Sequence, residues 1–224
     1  MTARICVSSL PKTVPEALRL IEKAEAAHAD FIEIRLDRLE DCLENHAGLA
    51  DLAAQGKTPK IATDKASRTE TEHQQLLIDA AKGGFDYVDV ELSTPKLEAL
   101  VKELKALGAK PIVSFHKFDG SLSISELNSV LEREIFSGAE VCKIVTTAKR
   151  MRDNLTTLNF TSTASSKTKV VCFCMGELGK VSRLLSPMFG GFFTFASLEH
   201  GNETATGQLT IQEMKAAYEV LGQK

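Results

Sequence analysis

A lysine in the middle of an apolar run is the first residue here that demands a chemical explanation. The run is Val141-Cys142-Lys143-Ile144-Val145, β-rich and otherwise apolar. Burial disfavours an ammonium ion, so the pKa of Lys143 is expected to fall, leaving an amine that is nucleophilic at neutral pH. The competing reading is a structural lysine paired with a carboxylate such as Glu91 or Glu33. A histidine, His116, ends Ile112-Val113-Ser114-Phe115-His116, with Ser114 on its own face. Near pH 7 an imidazole can both remove and return a proton, although a satisfied core histidine suits the same place. Strand alternation sorts Ile32, Ile34 and Leu36 from Glu33, Arg35 and Asp37, and it sorts Val88, Val90 and Leu92 from Asp89 and Glu91. Charges gathered on one face either neutralise one another or meet a substrate.

An amine nucleophile beside an acid–base histidine, with no metal-ligand spacing in the sequence, suggests carbonyl chemistry through an imine. A protonated C=N withdraws electrons from the neighbouring carbon and eases proton loss there. Elimination and aldol-type cleavage are both open to such a site, and the residues by themselves do not choose.

The elements that must position these residues alternate along the whole chain. Short β-rich runs are expected at 4–8, 31–36, 60–63, 87–92, 111–115, 140–145, 169–175 and 192–198. Amphipathic helices are expected at 15–27, 37–54, 71–82, 95–107, 124–136, 150–160, 181–188 and 211–221. Pro95 and Gly108 bracket the fourth helix in the usual order of capping residues. The 224 residues thus divide into eight strand–helix units of 28 residues on average. Eight parallel strands joined by right-handed crossovers close a barrel, so the expected fold is α/β, a single (β/α)8 TIM barrel, with residues 1–224 as one catalytic domain. An open doubly wound sheet is the alternative, but the first turn, Ser8-Ser9-Leu10-Pro11, lacks the glycines of a dinucleotide site. In such a barrel chemistry collects at the C-terminal ends of the strands, where Lys143, His116 and the carboxylates converge.

Composition excludes several classes of partner. Lys and Arg number 27 against 30 Asp and Glu, a net charge of −3, which has the wrong sign for a nucleic-acid footprint. No run approaches the roughly 18 apolar residues of a membrane span, and residues 1–10 lack a signal-peptide layout. Five cysteines, Cys6, Cys42, Cys142, Cys172 and Cys174, include no CxxC pair and suggest no disulfide framework. A reduced, cytoplasmic protein is expected.

The ordered segments Glu33-Ile-Arg35-Leu-Asp37, Asp89-Val-Glu91-Leu, Ser114-Phe-His116-Lys-Phe, Val141-Cys-Lys143-Ile-Val, Cys174 to Arg183 and Thr204-Ala-Thr-Gly-Gln208 together resemble the type I 3-dehydroquinate dehydratase family. The resemblance covers nearly the whole chain, and order and spacing make it specific. It implies a shikimate-pathway barrel enzyme without a cofactor or metal, most simply a homodimer. In it Lys143 forms a Schiff base with the C3 ketone of 3-dehydroquinate. His116 takes the C2 proton and helps expel the C1 hydroxyl as water. Arg183 holds the substrate carboxylate, and Glu33, Arg35 and Gln208 contact ring hydroxyls. Thr204 stands where the family often has serine, and Met175 walls the pocket. Glu91 and Ser8 support the site, and residues 200–208 form a lid hinged at Gly201 and Gly207.

The chain departs from the family pattern in two places. Strand three is usually followed by an arginine and then Glu-Gly-Gly, the glutamate orienting the histidine. Here the run is Ile61-Ala-Thr-Asp-Lys-Ala-Ser-Arg68, which leaves Glu70 or Glu72 as substitutes or the function shared differently. The residue after the histidine, usually aspartate, is Lys117. Two other functions remain open: a class I aldolase-like lyase, disfavoured because Gly190-Gly191 precedes strand eight at the wrong end for a phosphate nest, and a barrel that only binds a small acid.

Overall fold

A computed structural model describes residues 3–40, 48–66 and 69–223. Strands β1 (Ile5–Ser9), β2 (Phe31–Arg35), β3 (Lys60–Thr63), β4 (Tyr87–Glu91), β5 (Lys110–His116), β6 (Val141–Thr147), β7 (Val170–Met175) and β8 (Thr194–Ala196) alternate with helices. The helices are α1 (Val14–Ala26), α2 (Leu49–Ala54), α3 (Glu70–Gly83), α4 (Leu97–Ala106), α5 (Ile124–Phe136), α6 (Met151–Ala164), α7 (Lys180–Leu185) and α8 (Ile211–Val220). All strand pairings are parallel, in the order β7-β6-β5-β4-β3-β2-β1-β8. The Phe192 N–H donates to Val170 O at 2.7 Å and joins the entrance of β8 to β7. The result is a nearly closed (β/α)8 barrel.

Side-chain alternation divides the strands between two cores. Outward residues such as Ile32, Ile34, Val88, Val90 and Ile144 pack against the helices. Inward residues form a separate cluster that includes Phe31, Ile61, Tyr87, Ile112, Val141 and Val171. The N-terminal end of the lumen is plugged by aromatic rings, with Phe31 4.7 Å from Phe193 and 5.7 Å from Tyr87, centroid to centroid. One residue pair higher the lumen turns polar, through Ser8, Glu33, Thr63, Asp89, Ser114 and Lys143, all buried.

Helix starts follow local chemistry. Thr69, Ser123 and Thr210 each close a capping box with Glu72, Glu126 and Glu213. Pro95 lies outside α4, which begins at Leu97 after Lys96 takes a left-handed turn. The expected helix over 37–54 is a correction. Leu36–Arg38 form a single 3₁₀ turn, α2 covers only Leu49–Ala54, and residues 41–47 lie outside the described residues. The Arg35–Asp37 ion pair ties the chain into that tight turn, where the apolar spacing alone had suggested a longer helix. The eighth strand is also shorter than expected, at three residues, with Phe192 bonded to Val170 just before it.

One residue breaks the apolar stripe of α5. Leu127, Val130, Leu131 and Glu134 share its buried face, and among the described residues the Glu134 carboxyl group has only the Cys142 thiol as a polar neighbour. Burial raises the pKa of Glu134 well above the ordinary value, and Glu91 and Asp89 add to the shift. The fold therefore takes up a proton that the unfolded chain releases, and this contribution to stability falls as pH rises from the unfolded pKa toward the folded one. Glu134→Gln is expected to gain on the parent by more than about 1 kcal/mol between pH 5 and pH 8, read by denaturant unfolding. Parallel stability curves would contradict this.

Candidate active site

A cavity of about 430 Å³ opens at the C-terminal ends of the strands. Lys143 lies at its floor from the middle of β6, where the register sets it beside Ser114 on β5 and Val171 on β7. Its Nζ donates to Asp89 Oδ2 at 2.8 Å and lies 3.6 Å from Glu33 Oε1. The ring of Phe195 lies beneath it, 4.4 Å from Nζ. This corrects the expected low pKa. Burial does push Lys143 down, but the attraction of Asp89, Glu33 and Glu91 outweighs it, so its pKa is raised and the resting group is an ammonium. The pairing with Glu33 was legible in the sequence; the closer partner is Asp89. Burial pushes the Asp89 carboxyl up, yet Lys143, Lys65 and His116 hold it well below the usual carboxylate range.

Glu33 is fixed by Ser8 Oγ, which donates to Oε2, and by Thr63 Oγ1, which donates to Oε1 at 3.0 Å. Ser8 is thus a support behind Glu33, outside the cavity lining. Arg35 reaches the mouth with its guanidinium bidentate on Asp37, both contacts at 2.7 Å. His116 presents Nδ1 to Glu91 Oε1 at 2.7 Å, which leaves Nε2 for the pocket. Burial raises the Glu91 pKa, but its hydrogen bond to His116 and the charge of Lys65 carry it below the ordinary value. The histidine's carboxylate is therefore Glu91. Neither Glu70 nor Glu72 takes that place: Glu70 bonds Gln74 one turn on, and Glu72 is spent on the cap of α3. Lys117 turns to Asp119 at 3.0 Å.

Arg183 forms the opposite wall. It is 1% exposed, its Nε and one Nη have no hydrogen-bond partner, and its guanidinium lies 4.3 Å over Phe173. Burial lowers its pKa to about 10, so it stays cationic at neutral pH. Met175 completes the apolar side. The segment over the mouth contributes Thr204 and Gln208, joined through Thr204 N–H to Gln208 Oε1 at 2.7 Å. Gly176 N–H bonds Thr206 O at 3.1 Å, and a Cβ on Gly207, at φ +75°, would fall 2.2 Å from Gly176 O. Only glycine allows this close approach, which seats the segment against the end of β7.

A buried lysine ammonium, an imidazole held by a carboxylate and a guanidinium with two buried nitrogens unpartnered among the described residues thus line one cavity. The family model for type I 3-dehydroquinase matches residues 5–224. The chain belongs to the type I 3-dehydroquinase family. A 3-dehydroquinate dehydratase of Dehalococcoides mccartyi is 35% identical over 206 residues, 92% of this chain and 90% of that protein. One from Coxiella burnetii is 33% identical, over 97% of this chain and 93% of its own. Among solved structures, the 3-dehydroquinate dehydratase of Aquifex aeolicus superposes with a TM-score of 0.78 at 26% identity, covering 97% of this chain and 98% of its own. The one from Geobacillus kaustophilus gives 0.88 at 24% identity over 98% of this chain and 91% of its own, a likeness of fold.

Within this type I 3-dehydroquinase, two residues of the site escaped sequence reasoning. Lys65 enters the cavity from the β3–α3 loop, and Asp89, though placed on the inner face, was not singled out as the partner of Lys143. The signal for Asp89 was its strand register, two residues before Glu91 on one face; a loop residue such as Lys65 carries no periodic signal. Asp89→Asn is expected to leave two ammonium groups around a neutral amide and to cost about 3–5 kcal/mol in denaturant unfolding, the range for breaking a buried pair. A loss under about 1 kcal/mol would show the pair to be superficial.

Proposed function

We propose that Lys143, His116 and Arg183 divide the work of dehydrating 3-dehydroquinate. The enzyme is a hydro-lyase of the type I 3-dehydroquinase family, converting 3-dehydroquinate to 3-dehydroshikimate in the shikimate pathway. The observation that carries the assignment of roles is the buried Lys143 ammonium between Asp89 and Glu33. Lys143 passes its proton to His116 and its amine adds to the C3 ketone; His116 returns that proton to the carbinolamine hydroxyl, which leaves as water and gives an iminium. That cation stands where the ammonium stood, so the same carboxylates stabilise it with no rearrangement. His116 Nε2 removes the C2 proton to give an enamine. The electron pair then returns to expel the C1 hydroxyl, which leaves as water with the proton from His116. Hydrolysis of the imine frees Lys143.

Arg183, two of whose buried donors lack partners among the described residues, donates to the substrate carboxylate, a task suited to a planar fork. Glu33, Arg35, Thr204 and Gln208 surround the ring hydroxyls, and Met175 packs on the ring. Residues 200–208 act as the lid over the imine. We read residues 1–224 as one catalytic domain of a cytoplasmic homodimer, twofold association being the commonest oligomeric state. The reading requires no cofactor.

Incubation with 3-dehydroquinate and borohydride is expected to add a reduced adduct to Lys143, located by peptide mapping. Lys143→Ala is expected to lose both adduct and turnover. His116→Ala is expected to retain some adduct while turnover falls about 10²- to 10⁴-fold. No adduct in the parent would reject the imine; an adduct without growing enone absorbance would indicate a binder.

A further inference from the structure

The site holds a second lysine that the reaction as described does not use. Lys65 lies just after β3, and its Nζ makes three contacts: Asp89 Oδ1 at 2.9 Å, Glu91 Oε1 at 2.6 Å and Ser114 Oγ at 3.2 Å. Its loop is anchored by its neighbour. The Asp64 side chain accepts the Ala66 N–H at 3.2 Å and meets His73 Nδ1 on α3 at 2.7 Å, so Asp64 faces the helix while Lys65 faces the lumen. The two Asp89 oxygens therefore hold one ammonium each, Lys65 on Oδ1 and Lys143 on Oδ2. Glu91 Oε1 in turn holds both Lys65 and His116. Among the described residues, Lys65 alone hydrogen-bonds both Asp89, the partner of Lys143, and Glu91, the partner of His116.

We propose that Lys65 is a positioning residue that keeps Asp89 and Glu91 charge-paired while Lys143 passes from ammonium to amine to imine and His116 moves its proton. The proposal rests on the imine reading of Lys143. As Lys143 loses its proton, Asp89, wholly buried, would otherwise become an isolated buried anion, which is strongly unfavourable. With Lys65 on its other oxygen, Asp89 keeps a cation throughout. An ammonium on the far side of the same carboxylate also opposes the charge on Lys143 and favours the free amine. The charged groups that share the cavity with Lys65 or touch it are Glu33 and Arg35 on β2, Asp89 and Glu91 on β4, His116 on β5, Lys143 on β6 and Arg183 on α7, with Glu134 on α5 acting on Asp89 and Glu91. Taking away Lys65 leaves mainly carboxylates facing Lys143, and Lys143 then holds its proton more tightly.

The test compares Lys65→Met and Lys65→Arg with the parent, measuring kcat and KM across pH and mapping the borohydride adduct. In the parent the adduct maps to Lys143, which tests the imine reading separately. For Lys65→Met the acid limb of kcat/KM is expected to move up by about one pH unit, the lower bound for a nearby charge. At pH 7 this is a fall in kcat/KM of about tenfold, carried by kcat with KM little changed, and adduct formation is expected to need higher pH. Lys65→Arg, which keeps the charge, is expected to restore the parental profile. A parental pH profile in Lys65→Met, or a loss confined to KM, would overturn the proposal and make Lys65 an ordinary substrate contact. A parental adduct on Lys65 would overturn the division of roles between the lysines. Thermal melting monitors folding, and Lys65→Gln, read the same way, serves if Lys65→Met does not fold.

Discussion

The contact between Lys143 and Asp89 is the constraint around which this barrel is arranged. Taking an ammonium and a carboxylate out of water costs several kcal/mol per ion, and their attraction repays this only when the remaining donors and acceptors are satisfied. The lumen meets that condition residue by residue. Asp89 has Lys143 and Lys65 on its two oxygens and a hydrogen bond from Ser114 Oγ at 2.7 Å. Glu33 is held by Ser8 and Thr63. Every polar side chain on that level of the lumen thus has a place in one network, and the aromatic plug below it keeps water from entering through the bottom of the barrel.

The other wall follows the opposite rule. Arg183 is even less exposed than Lys143, but it rests on Phe173, and among the described residues its Nε and one Nη have no hydrogen-bond partner. A paired cation and an unpaired one on either side of a cavity lined by Phe173, Phe195 and Met175 define a polarity. The strands carry Glu33, Asp89, His116 and Lys143, while the segment seated at Gly176 and Gly207 lies at the mouth as a loop.

The fold was legible in the sequence because strand and helix periodicities alternate over the whole chain, and because Glu33, Arg35, Asp89, Glu91 and Lys143 fall on inward positions that period-two alternation identifies. The failures have physical causes. A helix over 37–54 was expected from apolar spacing, yet Leu36–Arg38 form a single 3₁₀ turn after which Leu39 is extended. The charge state of Lys143 was misjudged because burial, a local property, argues for a low pKa, whereas Asp89 and Glu33 arrive from strands far apart in sequence. Glu91 could be placed near His116 by register between β4 and β5, but that it replaces a missing glutamate after β3 depends on a side-chain contact that no sequence pattern shows. Lys65 sits in a loop and was invisible for the same reason.

The charge on Lys143 is the claim most open to direct test. An NMR titration of lysine side chains labelled at Nζ and Cε, with Lys143→Met used to assign the resonance, reads its protonation without substrate. The account predicts an ammonium with no midpoint at or below the ordinary lysine value of about 10.4. A midpoint between pH 6 and 8 would contradict it, and would mean that burial prevails over Asp89 and Glu33.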